Sequence, residues 1–295
     1  MWSSVWCLSE SNTCSSRSCV EVKATHRPTL SRSTDSGSID HPRGWTPEGR
    51  PWWHDDLVTH DTGAPPELIT GLLPAADHSL VRTVDALSDS QYAEPSQLPG
   101  WSRAHVVAHL TLNAEALGGV LHAAHTGRQR PMYASDEARD ADIESLAASG
   151  PSEVRDRFLA STTFFGDALA AMHEHDWAGS FDRTPGVRTV RLVDVPLMRV
   201  REVEIHHADL GVGHTAEDWS PDFCAVLLES LTRVDPGVSF EVRPTDLDRT
   251  WRYGQDDGGP VITGRAGAIG WWLTGRGTGA GLTSDTGALP EMEAW

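Results

Sequence analysis

The spacing of apolar residues between positions 69 and 211 constrains this chain more than any other feature. Four segments there repeat an apolar residue every three or four positions, which lays one stripe along an α-helix. In the first, Ile69, Leu72, Leu73, Ala76, Leu80, Val84 and Leu87 share a face. Pro74 has no N–H for the helical ladder, so the regular part of this helix is expected to begin there. Ser102 opens the second segment as an N-cap, and Val107, Leu110, Ala114, Leu117, Leu121 and Ala124 follow. Residues 126–151 are polar, punctuated by Gly127, Pro131, Gly150 and Pro151, and read as one long connection. Ser152 caps a third helix carrying Val154, Phe158, Phe165, Leu169 and Met172. Asp194 and Pro196 open a fourth, which runs to Gly211. Four helices with one apolar stripe each bury those stripes against one another, as an up-and-down four-helix bundle with one long crossover.

The period then changes. Ser220 and Pro221 open a further helix with Phe223, Leu227, Leu228 and Leu231. Beyond it Val238, Phe240 and Val242 alternate with Ser239, Glu241 and Arg243, the pattern of a strand with one buried face. Residues 250–253 and 260–263 read as two more strands, and 265–275 as a short helix ended by Gly275. The fold class is therefore α+β: a bundle over residues 65–215, then a small α+β module over 216–295. Residues 1–64, rich in Ser, Thr, Pro and Gly and without sustained periodicity, read as a disordered extension.

Charge removes several function classes. Against 24 Lys and Arg stand 42 Asp and Glu, a formal charge of −18. Such a surface disfavours DNA, RNA and anionic membranes, whose phosphates need a basic face. No apolar run reaches the ~18 residues of a membrane span, and the start lacks the basic and apolar regions of a signal peptide. Cys7, Cys14, Cys19 and Cys224 form neither a disulfide framework nor a zinc spacing. A cytoplasmic monomer is the expectation.

Two of the four helices concentrate metal-ligand side chains. His105 and His109 stand four residues apart on the second, and Glu202 and His206 four apart on the fourth. That spacing puts both side chains on one helix face, one turn apart, where a carboxylate and an imidazole can reach one cation. A third ligand from a facing helix completes a site with open positions, as a catalytic metal requires. Solvated helix-face pairs meet the same spacing, so the joint placement on two bundle helices carries the reading. A zincin is excluded because Val106 stands where that motif needs glutamate. His105 and Asp209 are candidates to orient the ligands. His207 is expected on a solvated face.

At these residues the sequence resembles a known family. PGWSRAHVVAHLTLNAEAL (99–117) together with VPLMRVREVEIHHADLG (195–211) resembles the mycothiol-dependent maleylpyruvate isomerase family of DinB-like metal-binding bundles. GRAGAIGWWLTGRG (264–277) is similar to the end of that family's small, sterol-carrier-like second domain. The resemblance implies His109, Glu202 and His206 as ligands of a divalent metal, with Zn²⁺ preferred, although such a donor set also suits Fe²⁺ or Ni²⁺. It leaves His105 outside the ligand set. It further implies an active-site arginine, for which Arg276 is the better match and Arg265 the weaker. The implied cofactor is mycothiol, activated as thiolate to add to the cis double bond of maleylpyruvate and leave after rotation, with substrate between bundle and module. A mycothiol S-transferase acting on another electrophile, or a non-catalytic metal-binding regulator, fits the same ligands.

Overall fold

A computed structural model describes residues 67–292. The extension expected over 1–64, with Cys7, Cys14 and Cys19, lies outside the described residues. Four long helices form the bundle: α1 (Glu67–Ala86), α3 (Arg103–His125), α5 (Pro151–Ala170) and α6 (Val195–Asp209), with a single turn, α2 (Asp89–Tyr92), between the first two. The helix α1 runs through Pro74 instead of starting at it. One ladder bond is lost there, but Leu73, Ala76, Leu80 and Val84 are buried as one continuous stripe, and that burial holds both sides of the proline. Helices α3 and α5 approach closely at Gly118, where a Cβ would lie 2.9 Å from the Phe164 ring and 3.2 Å from Phe165 Cα. The third long helix is capped at Gly150 with Pro151 in its first turn, two residues before the cap expected at Ser152, because proline's missing N–H costs nothing there.

Two elements occupy stretches expected to be irregular. Helix α4 (Asp136–Ala147) sits inside the 126–151 connection and packs on α3 through buried Ile143 and Leu146. Ser135 caps it by accepting from the Ala138 N–H at 3.1 Å. Between α5 and α6 lies a hairpin, β1 (Ser180–Asp182) and β2 (Thr189–Arg191), turned at Gly186 with φ +71°. Its Asp182 and Arg183 carbonyls accept from the Met132 and Tyr133 N–H groups, both at 2.8 Å, which fixes the path of the chain into α4.

Helix α6 is unlike the other three. Arg199, Arg201, Glu202, His206, His207 and Asp209 are all buried on it alongside Val200, Val203 and Ile205. Buried charges of this density need partners. Arg199 has one: its Nη1 donates to the Leu110 carbonyl at 3.0 Å and to Asn113 Oδ1 at 2.9 Å, pinning α6 to α3. Asp194 occupies the cap position but in helical φ and ψ, and its carboxylate takes Arg191 at 3.2 Å in place of capping the helix.

The C-terminal module follows the sequence pattern. Helix α7 (Pro221–Leu231) is capped by Ser220 Oγ, which accepts from Phe223 N–H at 3.1 Å. Strands β3 (Phe240–Pro244), β4 (Trp251–Tyr253), β5 (Val261–Gly264) and β6 (Thr283–Ser284) make one sheet in the order β4-β3-β5-β6. The β3–β5 pair is parallel and the other two pairs antiparallel. Helix α8 (Ala266–Leu273) packs on β3, β5 and α7, and Gly275 at φ +71° turns the chain so that Arg276 points back to the bundle. Among the described residues no helix is long and apolar enough to cross a membrane.

Candidate metal centre

His109 on α3 and His206 on α6 meet at one oxygen. Glu202 Oε2 lies 2.8 Å from His109 Nε2 and 3.2 Å from His206 Nε2, and the imidazole rings stand edge to face with centroids 4.7 Å apart. The four-residue step from Glu202 to His206 puts both on the face of α6 that meets α3, and the Arg199 clamp sets the depth of that meeting. Donor atoms of the three residues all lie within 4.8 Å of one another.

The outer nitrogens of the two imidazoles have opposite environments, and this sets their charge. His206 Nδ1 lies 2.8 Å from Asp209 Oδ2, so both its nitrogens face carboxylates and both donate. Burial works against the charged ring, but Asp209 and Glu202 outweigh it and raise the His206 pKa. His109 Nδ1 instead faces Arg139 Nη2 at 3.2 Å. A guanidinium only donates, so Nδ1 accepts and the proton sits on Nε2, toward Glu202. Burial holds His109 neutral, with its pKa pushed down to about 4 despite Glu202. Burial pushes Glu202 up, yet the two imidazoles outweigh it and leave the carboxylate well below its ordinary range.

Protons therefore occupy the point where three donor atoms converge. A carboxylate, a neutral imidazole and a second imidazole around one point suit a borderline divalent cation with an open position. Asp209 backs His206 as an outer carboxylate usually backs a metal-bound imidazole. Burial pushes Asp209 up, but Arg276 and His206 bring its pKa down to about 2, so it stays ionised.

The remaining residues singled out in the sequence fall in different places. Arg276 gives Nε and Nη2 to the two Asp209 oxygens at 2.9 and 2.7 Å, and Nη1 to the Thr274 carbonyl at 3.0 Å. It stands behind Asp209, one residue removed from His206. Arg265 is the exposed cap residue of α8, 3.7 Å from Asp246 and not part of this cluster. His105 accepts from Ser102 N–H at 3.2 Å and bonds Ser102 Oγ at 2.7 Å, a capping box for α3, while its Nε2 reaches Glu144 at 3.3 Å. It closes a helix end and touches none of the three ligands. His207 corrects the expectation of a solvated ring: it is 1% exposed, bonded to Thr83 Oγ1 at 2.7 Å and stacked on His214 at 3.8 Å. It turns away from the cluster because it follows His206 by one residue, about 100° around the helix.

Arg139 is the residue the sequence reading missed. It lies on α4, over the Tyr133 ring at 5.8 Å, and its other nitrogen pairs with Asp140 at 2.7 Å. The signal was present: Ser135, then Asp136 and Glu137, then Ile143 and Leu146, is a cap, an acidic first turn and a short apolar stripe. Trp101, with its ring 5.8 Å from that of His109, was missed as well.

Residues 73–211 match the mycothiol maleylpyruvate isomerase N-terminal domain. Two solved structures resemble the chain more broadly, a mycothiol-dependent maleylpyruvate isomerase and a histidine-to-alanine mutant of one. Each is 28% identical, with a TM-score of 0.69, over 78% of this chain and 96% of that chain. No curated protein matches. The family and both neighbours are an enzyme class, and the likeness extends past the bundle into the C-terminal module.

Proposed function

We propose that the chain is a mycothiol-dependent isomerase of a cis-unsaturated diacid such as maleylpyruvate. It would work with a divalent cation, Zn²⁺ first among candidates, held by His109, Glu202 and His206. The observation that carries this reading is the convergence of two imidazole Nε2 atoms on one Glu202 oxygen. A divalent cation bound there would lower the pKa of a thiol, so that thiolate is present at neutral pH.

The chain's own groups supply the rest. An imidazole that uses Nε2 as a lone-pair donor carries its proton on Nδ1 and cannot accept there. His109 in that state would release the Nη2 of Arg139, and a guanidinium on the outer side of the His109 ring suits a substrate carboxylate or the enolate that would develop. Arg276 acts through Asp209 and His206 as a positioning residue. Mycothiol bound as thiolate would supply a nucleophile that adds reversibly to the cis double bond, so that rotation about the resulting single bond and loss of the thiolate would give the trans isomer, with Arg139 placed for the charge that would develop on the adjacent carbonyl oxygen. The thiol is returned, so the reaction needs no oxidant and no second substrate. Trp101 stands beside His109, with ring centroids 5.8 Å apart.

Incubation of zinc-loaded protein with mycothiol and maleylpyruvate is the test. Fumarylpyruvate formed at a rate that depends on mycothiol, and not on glutathione, is the expected result. No fumarylpyruvate, together with mycothiol adducts on other electrophiles, would replace isomerisation with S-transfer. Turnover with neither thiol would replace catalysis with metal-dependent regulation.

A further inference from the structure

A second group of metal-ligand side chains stands at the other end of α3. His125 is sixteen residues beyond His109 on that helix, roughly 24 Å away at about 1.5 Å per residue. Its Nδ1 lies 3.0 Å from Asp176 Oδ2, and its ring is edge to face with His173 at 4.9 Å. Donor atoms of His125, His173 and Asp176 all lie within 4.8 Å of one another, the bound that the first centre also meets. His175 adds a further nitrogen, Nε2, 3.2 Å from Asp176 Oδ1.

We propose that His125, His173 and Asp176 form a second divalent-cation site, for a borderline cation such as Zn²⁺ or Ni²⁺, distinct from the bundle-core centre. The chemistry of the donors is the first argument. Two imidazoles and a carboxylate are the same set as His109, His206 and Glu202, and imidazole suits Zn²⁺ and Ni²⁺ over Mg²⁺ or Ca²⁺. The second argument is preorganisation. The Asp176 side chain is 5% exposed, and its Oδ2 accepts from the His173 N–H at 2.8 Å. The third is adaptability: a tetrahedral cation ~2.1 Å from each donor needs donors ~3.4 Å apart, which the exposed His173 ring and the half-buried His125 ring reach by small rotations.

An ordinary His–Asp pair that also starts the 3₁₀ turn Glu174–Ala178 accounts for the bond from His125 and for the bond from His173 N–H. The capping box between His173 and Asp176 also seats the His173 side chain, and what it leaves over is the edge-to-face approach of the His125 and His173 rings beside that carboxylate. A cation accounts for all of these. Its effect would be structural. It would clip the last turn of α3 to the turn that leads into β1, and β1 in turn holds Met132 and Tyr133 on the path to Arg139. Its His173 is exposed, so it would exchange its cation faster than the buried centre.

The experiment is a count of zinc per full-length chain after equilibration with Zn²⁺ alone and removal of excess, by elemental analysis. Four variants are compared: His109→Ala, His173→Ala, the double variant, and His78→Ala as an exposed histidine elsewhere on α1. Each of the first two is expected to lose one equivalent, the double variant two, and His78→Ala none. In the His109→Ala background, Zn²⁺ should still raise Tm, because a ligand that binds the folded state stabilises it. Adding His173→Ala should abolish that rise. His173 is exposed, so its loss does not threaten folding. Zinc content unchanged by His173→Ala, an equal loss in His78→Ala, or a Tm rise that survives in the double variant would each overturn the proposal. Failure of the isomerase assay leaves this count unaffected.

Discussion

Arg276 and Asp209 are joined by two parallel hydrogen bonds, and the oxygen that takes Nη2 at 2.7 Å also takes His206 Nδ1 at 2.8 Å. A residue of the C-terminal module therefore acts on His206 of the bundle through one carboxylate. The carboxylate fixes which way the His206 ring faces and makes its Nε2 more basic. Asp209→Asn is expected to lower zinc affinity about 10–100-fold, the usual cost of losing such a partner. Competition against a chromophoric chelator reads this directly. Unchanged affinity would remove Asp209 from the centre.

Arg139 answers to a different measurement. It faces the outer nitrogen of His109, not the point where a cation fits, so Arg139→Met should leave zinc content at the wild-type value. The loss should fall on the anionic substrate, with kcat/KM down about 10–100-fold, the range of one charge-assisted hydrogen-bond pair at ~1.4 kcal/mol per tenfold. Arg139→Lys should recover part of it, since a point charge replaces the fork. Equal activity in Arg139→Met would return Arg276 as the arginine that meets substrate.

His105 and His109 look alike on spacing, and the structure separates them. His105→Ala removes the capping box of α3, and a lost N-cap partner costs about 0.5–2 kcal/mol. Urea denaturation should show a midpoint shift of that size with an unchanged slope, while zinc content stays the same. A zinc loss equal to that of His109→Ala would place His105 among the ligands.

What the sequence made legible follows from how each residue signals. The stripes of α1, α3, α5 and α6 and the alternation through Val242 are patterns of many residues, so single irregularities such as Pro74 do not erase them. His109, Glu202 and His206 stood out because Glu202 and His206 lie one turn apart on one helix and the family resemblance adds His109, and the structure brings these three side chains together. Arg276 was legible as a residue but not in its role, since its bond to Asp209 spans 67 positions of chain. Helix α4 escaped because it is short and mostly polar, with Ile143 and Leu146 its only buried side chains. Arg139 was lost with it. The burial of His207 was not visible for the same reason that α6 as a whole misleads: a helix packed on most of its faces has no polar side to contrast with.

Cys224 offers a check on whether any thiol of the described chain competes with an added one. It lies on α7, 3% exposed, among the apolar side chains between the bundle and the small sheet. Burial, with smaller contributions from Asp246 and Glu204, pushes its pKa up from 9.0 to about 12. A buried thiol so shifted carries almost no thiolate at neutral pH and is inert as a nucleophile. Iodoacetamide at pH 8 followed by peptide mapping should leave Cys224 unlabelled in the folded protein and label it in urea. The same shift has a stability sign. Between pH 9 and 12 the unfolded chain has released this proton and the folded one has kept it, so folding stability falls as pH rises, at ~1.4 kcal/mol per pH unit. Cys224→Ala removes the group from both states, and its stability curve should be flatter than the wild type over that window. Parallel curves, or labelling of Cys224 in the folded protein, would show the thiol to be solvated and would make it a rival to the added one.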